Sequence, residues 1–440
     1  MIFSTIRDSS LFIGGSNSMN SLPGFRDFFP DECARRNYIL AHWREVCRRY
    51  GFVEYDGPVL ESEELFRKKS GDEIVKQLFN FVDKGERSVA LRPEMTPTLA
   101  RMVAARERDF KKPMKWFSMP QCFRYEKQQR GRLREFYQLN GDIIGEPSVA
   151  ADAEMIALVI DVLRSFGFME NDFVVRVSDR DAWLAFLAAK NVEAARGVEF
   201  LQIVDKMERD APEATAAKLQ AFGITLEELR GFIANPGTHF EKFNELWREL
   251  SARGLSAFFQ LDPTIVRGLA YYTGLVFEVF DRSKKLRALA GGGRYDNLLS
   301  DMSDGKIALP ALGFGMGDVV LGELIAETPH ALAKMQHWIA QRPAAQIYLV
   351  VAKEEHRATA LADAQRLRDL GFRVDFPLVA AKVGKQFQTA EQLGAQVAIL
   401  YGDEWPKVKF KTLATRDEFL ADHDSLLHKL DELKLTVESF

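Results

Sequence analysis

Residues Lys115–Gly145 read KWFSMPQCFRYEKQQRGRLREFYQLNGDIIG, the pattern of two strands joined by a short, very basic loop. The outgoing arm covers Lys115–Lys127, the turn Gln128–Arg132 and the return arm Leu133–Gly145. Strand side chains alternate between faces. Arg124 and Glu126 therefore share one face of the first arm, and Gln138, Asn140 and Asp142 one face of the second. If paired residue numbers sum to an even value, both sets point the same way, gathering an arginine, two carboxylates and two amides. Left dry and unpaired, such charges cost on the order of several kcal/mol. One outcome is a solvated face with surface ion pairs; the other is a ligand site. The loop favours the ligand: from Arg124 to Glu135 five basic residues (Arg124, Lys127, Arg130, Arg132, Arg134) outnumber two acidic ones (Glu126, Glu135). Each guanidinium can grip a phosphate with two donors, which suits a polyanion.

The totals exclude several classes. A chain of 440 residues has the length for about two or three domains. Its 47% hydrophobic and 28% charged content is that of an ordinary globular protein. A formal net charge of -4 means that any nucleic-acid site is local. The three cysteines, Cys33, Cys47 and Cys122, form no C-x-x-C pair, which argues against a disulfide framework or a zinc site and fits a reducing cytoplasm. No apolar run approaches about 18 residues, so no membrane span is expected. The seven histidines form no cluster, and none is assigned as a catalyst or metal ligand. Residues 1–18 are weakly patterned and read as a disordered extension, or as sequence ahead of a start at Met19.

Three further stretches carry chemistry. In Leu91–Arg101 (LRPEMTPTLAR) two prolines bracket Glu94 and Thr96 before a helix. A plain helix start, with Thr96 as cap and Glu94 complementing the dipole, competes here with a site for an ammonium. In Leu261–Phe280 (LDPTIVRGLAYYTGLVFEVF) Arg267 lies in a polar turn between apolar strands, followed by Tyr271 and Tyr272. In Ala290–Leu299 (AGGGRYDNLL) the glycines allow close backbone approach to a ligand.

FRYE, a basic loop and REFYQ together resemble motif 2 of class II aminoacyl-tRNA synthetases, specifically of the histidyl-tRNA synthetase family. RPEMT, RGLAYYTG and AGGGRYD resemble that family's substrate signatures in the same order. The resemblance implies an α+β catalytic domain built on an antiparallel sheet, a helical insertion, and a C-terminal α/β domain of the anticodon-binding kind. The domains would be 19–180 with 257–326, 181–256, and 345–440.

The implied reaction joins L-histidine to ATP, releases pyrophosphate, and passes histidine to the 3′ end of tRNA(His) in the cytoplasm. Glu94 and Thr96 would hold the α-amino group and Gln138 the carboxylate region. Asp142, Tyr271 and Tyr272 would surround the imidazole, and Gly292 and Tyr295 would also bind histidine. ATP would meet Arg124, Glu126, Arg132, Arg267 and Gly315, with Arg124 and Arg267 acting at the α-phosphate and Mg²⁺ bridging phosphates without a dedicated protein metal site. Two departures stand out. Ala270 replaces a common aspartate, and Val320, in Pro310–Leu324 (PALGFGMGDVVLGEL), stands where the class has its motif 3 arginine. Arg132 or Arg294 could supply that contact. Without it, a histidine-sensing regulatory subunit of the ATP phosphoribosyltransferase type, or a tRNA-sensing paralogue, is the rival; the basic loop and the C-terminal domain oppose it.

The flanking chain reads simply. Asp31 is expected to cap a helix with Ile39, Trp43, Val46, Cys47 and Tyr50 on one stripe. A strand, GFVEYDGPVLE, follows it, a helix-then-strand order resembling the motif that builds a homodimer interface in the class. Ser148 is expected to cap a helix buried on all sides. A linker containing Pro329 and Pro343 leads to a βαβαβ pattern: strand Ile347–Val351, a helix closed by Gly371, strand Phe372–Phe376, helix Lys385–Leu393 and strand Val397–Tyr401. From Gln346 on, 13 Lys and Arg face 15 Asp and Glu, so any RNA contact there rests on a local patch such as Lys382, Lys385, Lys407, Lys409 and Lys411.

Overall fold

The long strand Glu135–Ile144 organises the larger part of the structure, a computed structural model that describes residues 20–70, 74–207, 209–235, 241–266, 272–283, 285–433 and 435. It pairs antiparallel with Met114–Ser118 and then with Gln121–Phe123. The pairs run from Met114↔Ile144 to Phe123↔Glu135 with one constant, even sum. Pro120, which has no N–H, breaks the outgoing arm without shifting that register, because its carbonyl accepts from Gln138 N at 3.0 Å. The hairpin therefore has the even register on which the shared polar face depends.

Among the described residues this strand lies in a nine-stranded sheet. On its other side come Ala311–Gly317, Ala290–Arg294, Leu275–Asp281 and Phe173–Asp179, all antiparallel. Short parallel strands, Val53–Glu54 and Phe259–Leu261, close the two edges. Paired residues share a face. One row reads Ser118, Asn140, Gly315, Gly291, Glu278, Arg176; the next reads Trp116, Asp142, Gly313, Gly293, Val276, Ser178. Both rows are glycine at the centre, which leaves a bare floor flanked by polar side chains. The opposite face carries Phe117, Leu139, Ile143, Phe277, Phe314 and Met316, all buried, and its strands Glu135–Ile144 and Ala311–Gly317 pack on the helix Val149–Ser165. Most of that helix is buried, as its apolar residues lead one to expect.

Helix starts differ in detail from the sequence reading. Phe29 is the N-cap of Pro30–Arg49, so Asp31 sits inside the first turn, where it complements the dipole instead of capping. Ser148 occupies the N-cap of its helix without a side-chain cap bond. GFVEYDGPVLE is two strands, not one: Val53–Glu54 joins the large sheet and Leu60–Ser62 a separate three-stranded sheet, the break falling around Pro58.

Between the strands at Phe173–Asp179 and Phe259–Leu261, helices Arg180–Ala189, Gly197–Lys206, Pro212–Gln220 and Leu226–Ala234 enclose their own cluster around Trp183, Phe200, Leu229 and Phe232. A fifth helix, Glu241–Ala252, lies along Val149–Ser165.

The described residues divide into two compact units between Leu332 and Ala333. A helix, Pro329–Ala340, runs where a linker was expected. Proline at its first position and the good helix formers behind it explain that. The second unit has Ile347–Val351 and Val397–Tyr401 as parallel central strands, with Val374–Asp375 beside the former. Two antiparallel strands, Lys407–Thr412 and Glu418–Asp422, extend the sheet beyond the βαβαβ pattern. Their alternation buries Val408 and Phe410 and turns Lys407, Lys409 and Lys411 outward, where Glu404 and Glu418 pair with the last two at 3.0 and 2.6 Å.

Candidate active site

Two groups of polar side chains stand on the glycine-floored face, and Arg124 lies between them. In the first, the Tyr295 hydroxyl donates to Asp142, both side chains being buried. Gly313 opposite Asp142 makes the room: a Cβ there would run into Asp142 Oδ1 and lie 2.8 Å from the Tyr295 hydroxyl. Burial pushes the Asp142 carboxyl from its ordinary 3.8 up to about 7, although Tyr295 and the charge of Lys69 oppose this.

Glu94 enters from the turn ahead of helix Thr96–Arg106. Lys69, its side chain 2% exposed, pairs with the Glu94 carboxylate at 2.7 Å. Burial alone would push Glu94 up, but Lys69 and Arg124 hold it below the ordinary carboxylate value. Thr96 does not cap its helix: Met95 is the N-cap and no side-chain cap bond forms, so the end of the helix does not consume the hydroxyl. Ser118 Oγ, Asn140 Oδ1 and Tyr55 Oη are buried without a hydrogen-bond partner, and Ser118 and Asn140 face each other across strands. Buried polar atoms left unpaired mark a place where a polar ligand or water belongs.

The second group lines an open cavity of about 650 Å³, the size of a small-ligand pocket. Five arginines face it (Arg124, Arg132, Arg176, Arg209, Arg287) against three carboxylates, Glu126, Asp205 and Glu278. Arg132 pairs with Glu126 at 2.8 Å across the hairpin. Burial makes the Arg132 guanidinium release its proton more readily; Glu126 opposes this, while Arg287 and Arg124 reinforce it. The loop is tied to helix Asp318–Glu327, with Arg130 pairing with Glu323 at 3.3 Å and with Glu327, and Gly131 N donating to Glu323 at 3.1 Å.

Arg124 joins the two groups. Its Nε donates to Pro93 O at 3.0 Å, in the turn that carries Glu94, while its guanidinium lies 5.3 Å over the Phe136 ring on the cavity wall.

Arg267 and Tyr271 lie outside the described residues; Thr264 and Ile265, just ahead of them, line the cavity. Tyr272 packs with Tyr295, Leu99 and Leu298 in one apolar cluster. Three expected placements need correction. Gly315 is not on the cavity wall but beneath Gln138, whose Nε2 would stand 2.8 Å from a Cβ there; Gly317 is on the wall. Gly292 turns to the opposite face, between Phe277 and Phe314, and Gly291 and Gly293 flank it on the site side. Arg294 also lies on that opposite face, bound to Asp152 at 2.7 Å and to the carbonyls of Ser148 and Glu146 at 2.7 and 3.1 Å. It does not reach the cavity and does not replace the arginine absent at Val320. Lys69, Arg176, Arg209 and Arg287 were not singled out from sequence: Lys69, Arg209 and Arg287 sit in ordinary polar turns or helix ends, and Arg176 is a single charge in an apolar strand, with no motif around any of them.

Residues 24–317 match the family model for histidyl-tRNA synthetase, and residues 346–433 that for an anticodon binding domain. The chain is 44% identical to the histidine–tRNA ligase of Opitutus terrae, over 91% of this chain and 95% of that one. It is 38% identical to a chloroplastic/mitochondrial histidine–tRNA ligase of Arabidopsis thaliana, over 91% of this chain and 84% of the relative. Its fold matches the crystal structure of histidyl-tRNA synthetase from Nostoc sp. PCC 7120 with a TM-score of 0.75 at 24% identity, covering 95% of this chain and 100% of that one. Fold and matched sequence place the chain among the aminoacyl-tRNA synthetases. Within them it belongs to the histidyl-tRNA synthetase family.

Burial pushes the Asp152 carboxyl up to about 6, and the Arg294 guanidinium is its main counterweight. Arg294→Met strands that carboxylate, a loss of about 3–5 kcal/mol for a broken buried pair. The expected outcome is a clearly lower urea midpoint, largely recovered when Asp152→Leu is added. An unchanged midpoint would remove Arg294 from its structural role.

Proposed function

We propose that this chain activates L-histidine with ATP and transfers it to the 3′ end of tRNA(His). As a family member it is an aminoacyl-tRNA ligase that uses ATP. The observation that carries the reading is the position of Arg124, with Glu94 and Asp142 on one side and the arginine-lined cavity on the other.

Histidine occupies the first group. Its ammonium takes the place now held by the Lys69 ammonium at Glu94, with the Thr96 hydroxyl alongside. Its imidazole meets Asp142 and Tyr295, with Tyr271 and Tyr272 completing the pocket, and the Gln138 amide faces its carboxylate. ATP occupies the cavity, held by Arg124, Glu126, Arg132 and Arg267.

A histidine carboxylate oxygen attacks the α-phosphorus. The bond from that phosphorus to the bridging oxygen breaks, its electron pair leaves on pyrophosphate, and histidyl-adenylate remains. Arg124 offsets the charge that grows on the α-phosphate, with Arg267 proposed as its partner, so catalysis is positioning plus electrostatics. The tRNA 3′-hydroxyl then attacks the acyl carbon, and AMP leaves.

No group of three or more metal-ligating side chains forms among the described residues. Three carboxylates, Glu126, Asp205 and Glu278, line the cavity, the first two engaged by Arg132 and Arg209 at 2.8 and 2.7 Å. Mg²⁺ is commonly held by one or two carboxylates plus phosphate oxygens, so the donors fit an ion that arrives with ATP and screens its phosphates.

Leu60, Phe81 and Val82 lie exposed on the three-stranded sheet, which supports a homodimer. No described helix is long and apolar enough to cross a membrane, in keeping with a cytoplasmic enzyme. The rival regulatory reading loses ground to the anticodon-binding match at 346–433 and to ligases similar over most of the chain.

Histidine-dependent exchange of pyrophosphate into ATP, followed by charging of tRNA(His), tests the proposal. Histidine binding without exchange would favour the sensor instead. Gly313→Ala pushes a methyl group onto Asp142 and is expected to raise KM for histidine at least about tenfold with KM for ATP unchanged. An unchanged KM for histidine would contradict the pocket.

Asp142, titrating near 7 in the unliganded protein, is neutral below that pH and charged above it. kcat/KM for histidine therefore falls as pH drops through about 7, with a second ionisation from the free imidazole at about 6.5. Asp142→Asn should lower kcat/KM and leave only the imidazole ionisation. A variant profile identical to wild type would exclude Asp142 from the pocket.

A further inference from the structure

Val320 leaves one corner of the cavity without the arginine that the helix would otherwise supply, and the same corner holds a cation from elsewhere. Gly131, at the tip of the basic loop, is the meeting point. A Cβ on it would stand 3.1 Å from Val320 Cγ2 and 3.7 Å from Arg287 Cδ. Backbone of the loop thus covers Val320, and a long side chain at 320 would have to pass through it. Arg287 reaches the corner from the other side, from the turn that joins Leu275–Asp281 to Ala290–Arg294.

The charges nearby are committed, apart from this one. Arg130 is paired with Glu323 and Glu327, and Arg132 with Glu126. Arg287 is exposed and has no carboxylate partner among the described residues; its Nη1 makes one long bond, 3.4 Å, to Gln129 Oε1. Arg124, Arg132 and Arg287 line one cavity, and the first and last both perturb the second. Like charges crowded in this way repel, and a polyanion between them turns the repulsion into binding.

We propose that Arg287 grips the terminal phosphates of ATP, replacing from the opposite wall the contact that position 320 has given up. The inference rests on ATP occupying this cavity, as set out above. Its planar donors can take two phosphate oxygens at once, and its long stem lets it follow the leaving pyrophosphate.

Calorimetric titration of the full chain with ATP and with AMP, alongside histidine-dependent exchange, tests it. Arg287 is exposed, so its replacement leaves the core intact. Arg287→Ala is expected to weaken ATP binding roughly tenfold or more while leaving AMP affinity and KM for histidine unchanged, with Arg287→Lys in between. Unchanged ATP affinity, or an equal loss for ATP and AMP, overturns the assignment. Wild-type protein that binds ATP but shows no exchange would count against the ligase reaction and not against Arg287, since the comparison of ATP with AMP still decides its role.

Discussion

The pairing of Glu135–Ile144 with its neighbours is the constraint on which everything else hangs. One register carries through the hairpin, past Pro120, and a second locks the strand to Ala311–Gly317. A slip of a single residue would turn Asp142 and Asn140 into the packed layer and put Ile143 on the polar floor. In the observed register Asp142 stands over Gly313 and Asn140 over Gly315, and Arg132 comes opposite Glu126. Polar groups from strands far apart in sequence meet because the residues between them have no side chains.

This arrangement concentrates charge that water would otherwise screen, and the protein meets the cost locally. Lys69 holds Glu94, Glu126 holds Arg132, and Glu323 with Glu327 anchors the tip of the loop through Arg130. Asp318, at the start of the helix beneath, is itself fixed by Arg26 at 2.8 Å and by Tyr137 N at 2.9 Å. The Arg294–Asp152 pair is different in kind, buried on the reverse of the sheet and tied also to backbone carbonyls, so it serves the fold.

Much of this was legible in the residues. The alternation in Lys115–Gly145 is enough to foresee one polar face, and the buried helix Val149–Ser165 follows from its apolar composition. In the second unit Ile347–Val351 and Val397–Tyr401 coincide with their apolar runs. Local pattern cannot say which way a glycine run faces. Gly292 and Arg294 turn away from the site because of their pairing with Phe314 and Leu312, residues of another strand. Lys69 and Arg287 carry no signature, since a lysine at a helix end and an arginine in a polar turn are ordinary surface residues until the fold brings Glu94 and Gly131 to them. The strands Lys407–Thr412 and Glu418–Asp422 were hidden because their alternating lysines read equally well as a basic patch.

A crystal structure with a non-hydrolysable sulfamoyl analogue of histidyl-adenylate addresses the whole arrangement at once. The imidazole should contact Asp142 and the Tyr295 hydroxyl, the adenosine should fill the cavity beside Phe136, and the linking sulfamoyl oxygens should lie at hydrogen-bond distance, about 3 Å, from Arg124. An imidazole directed away from Asp142, or a linker out of reach of Arg124, would contradict it.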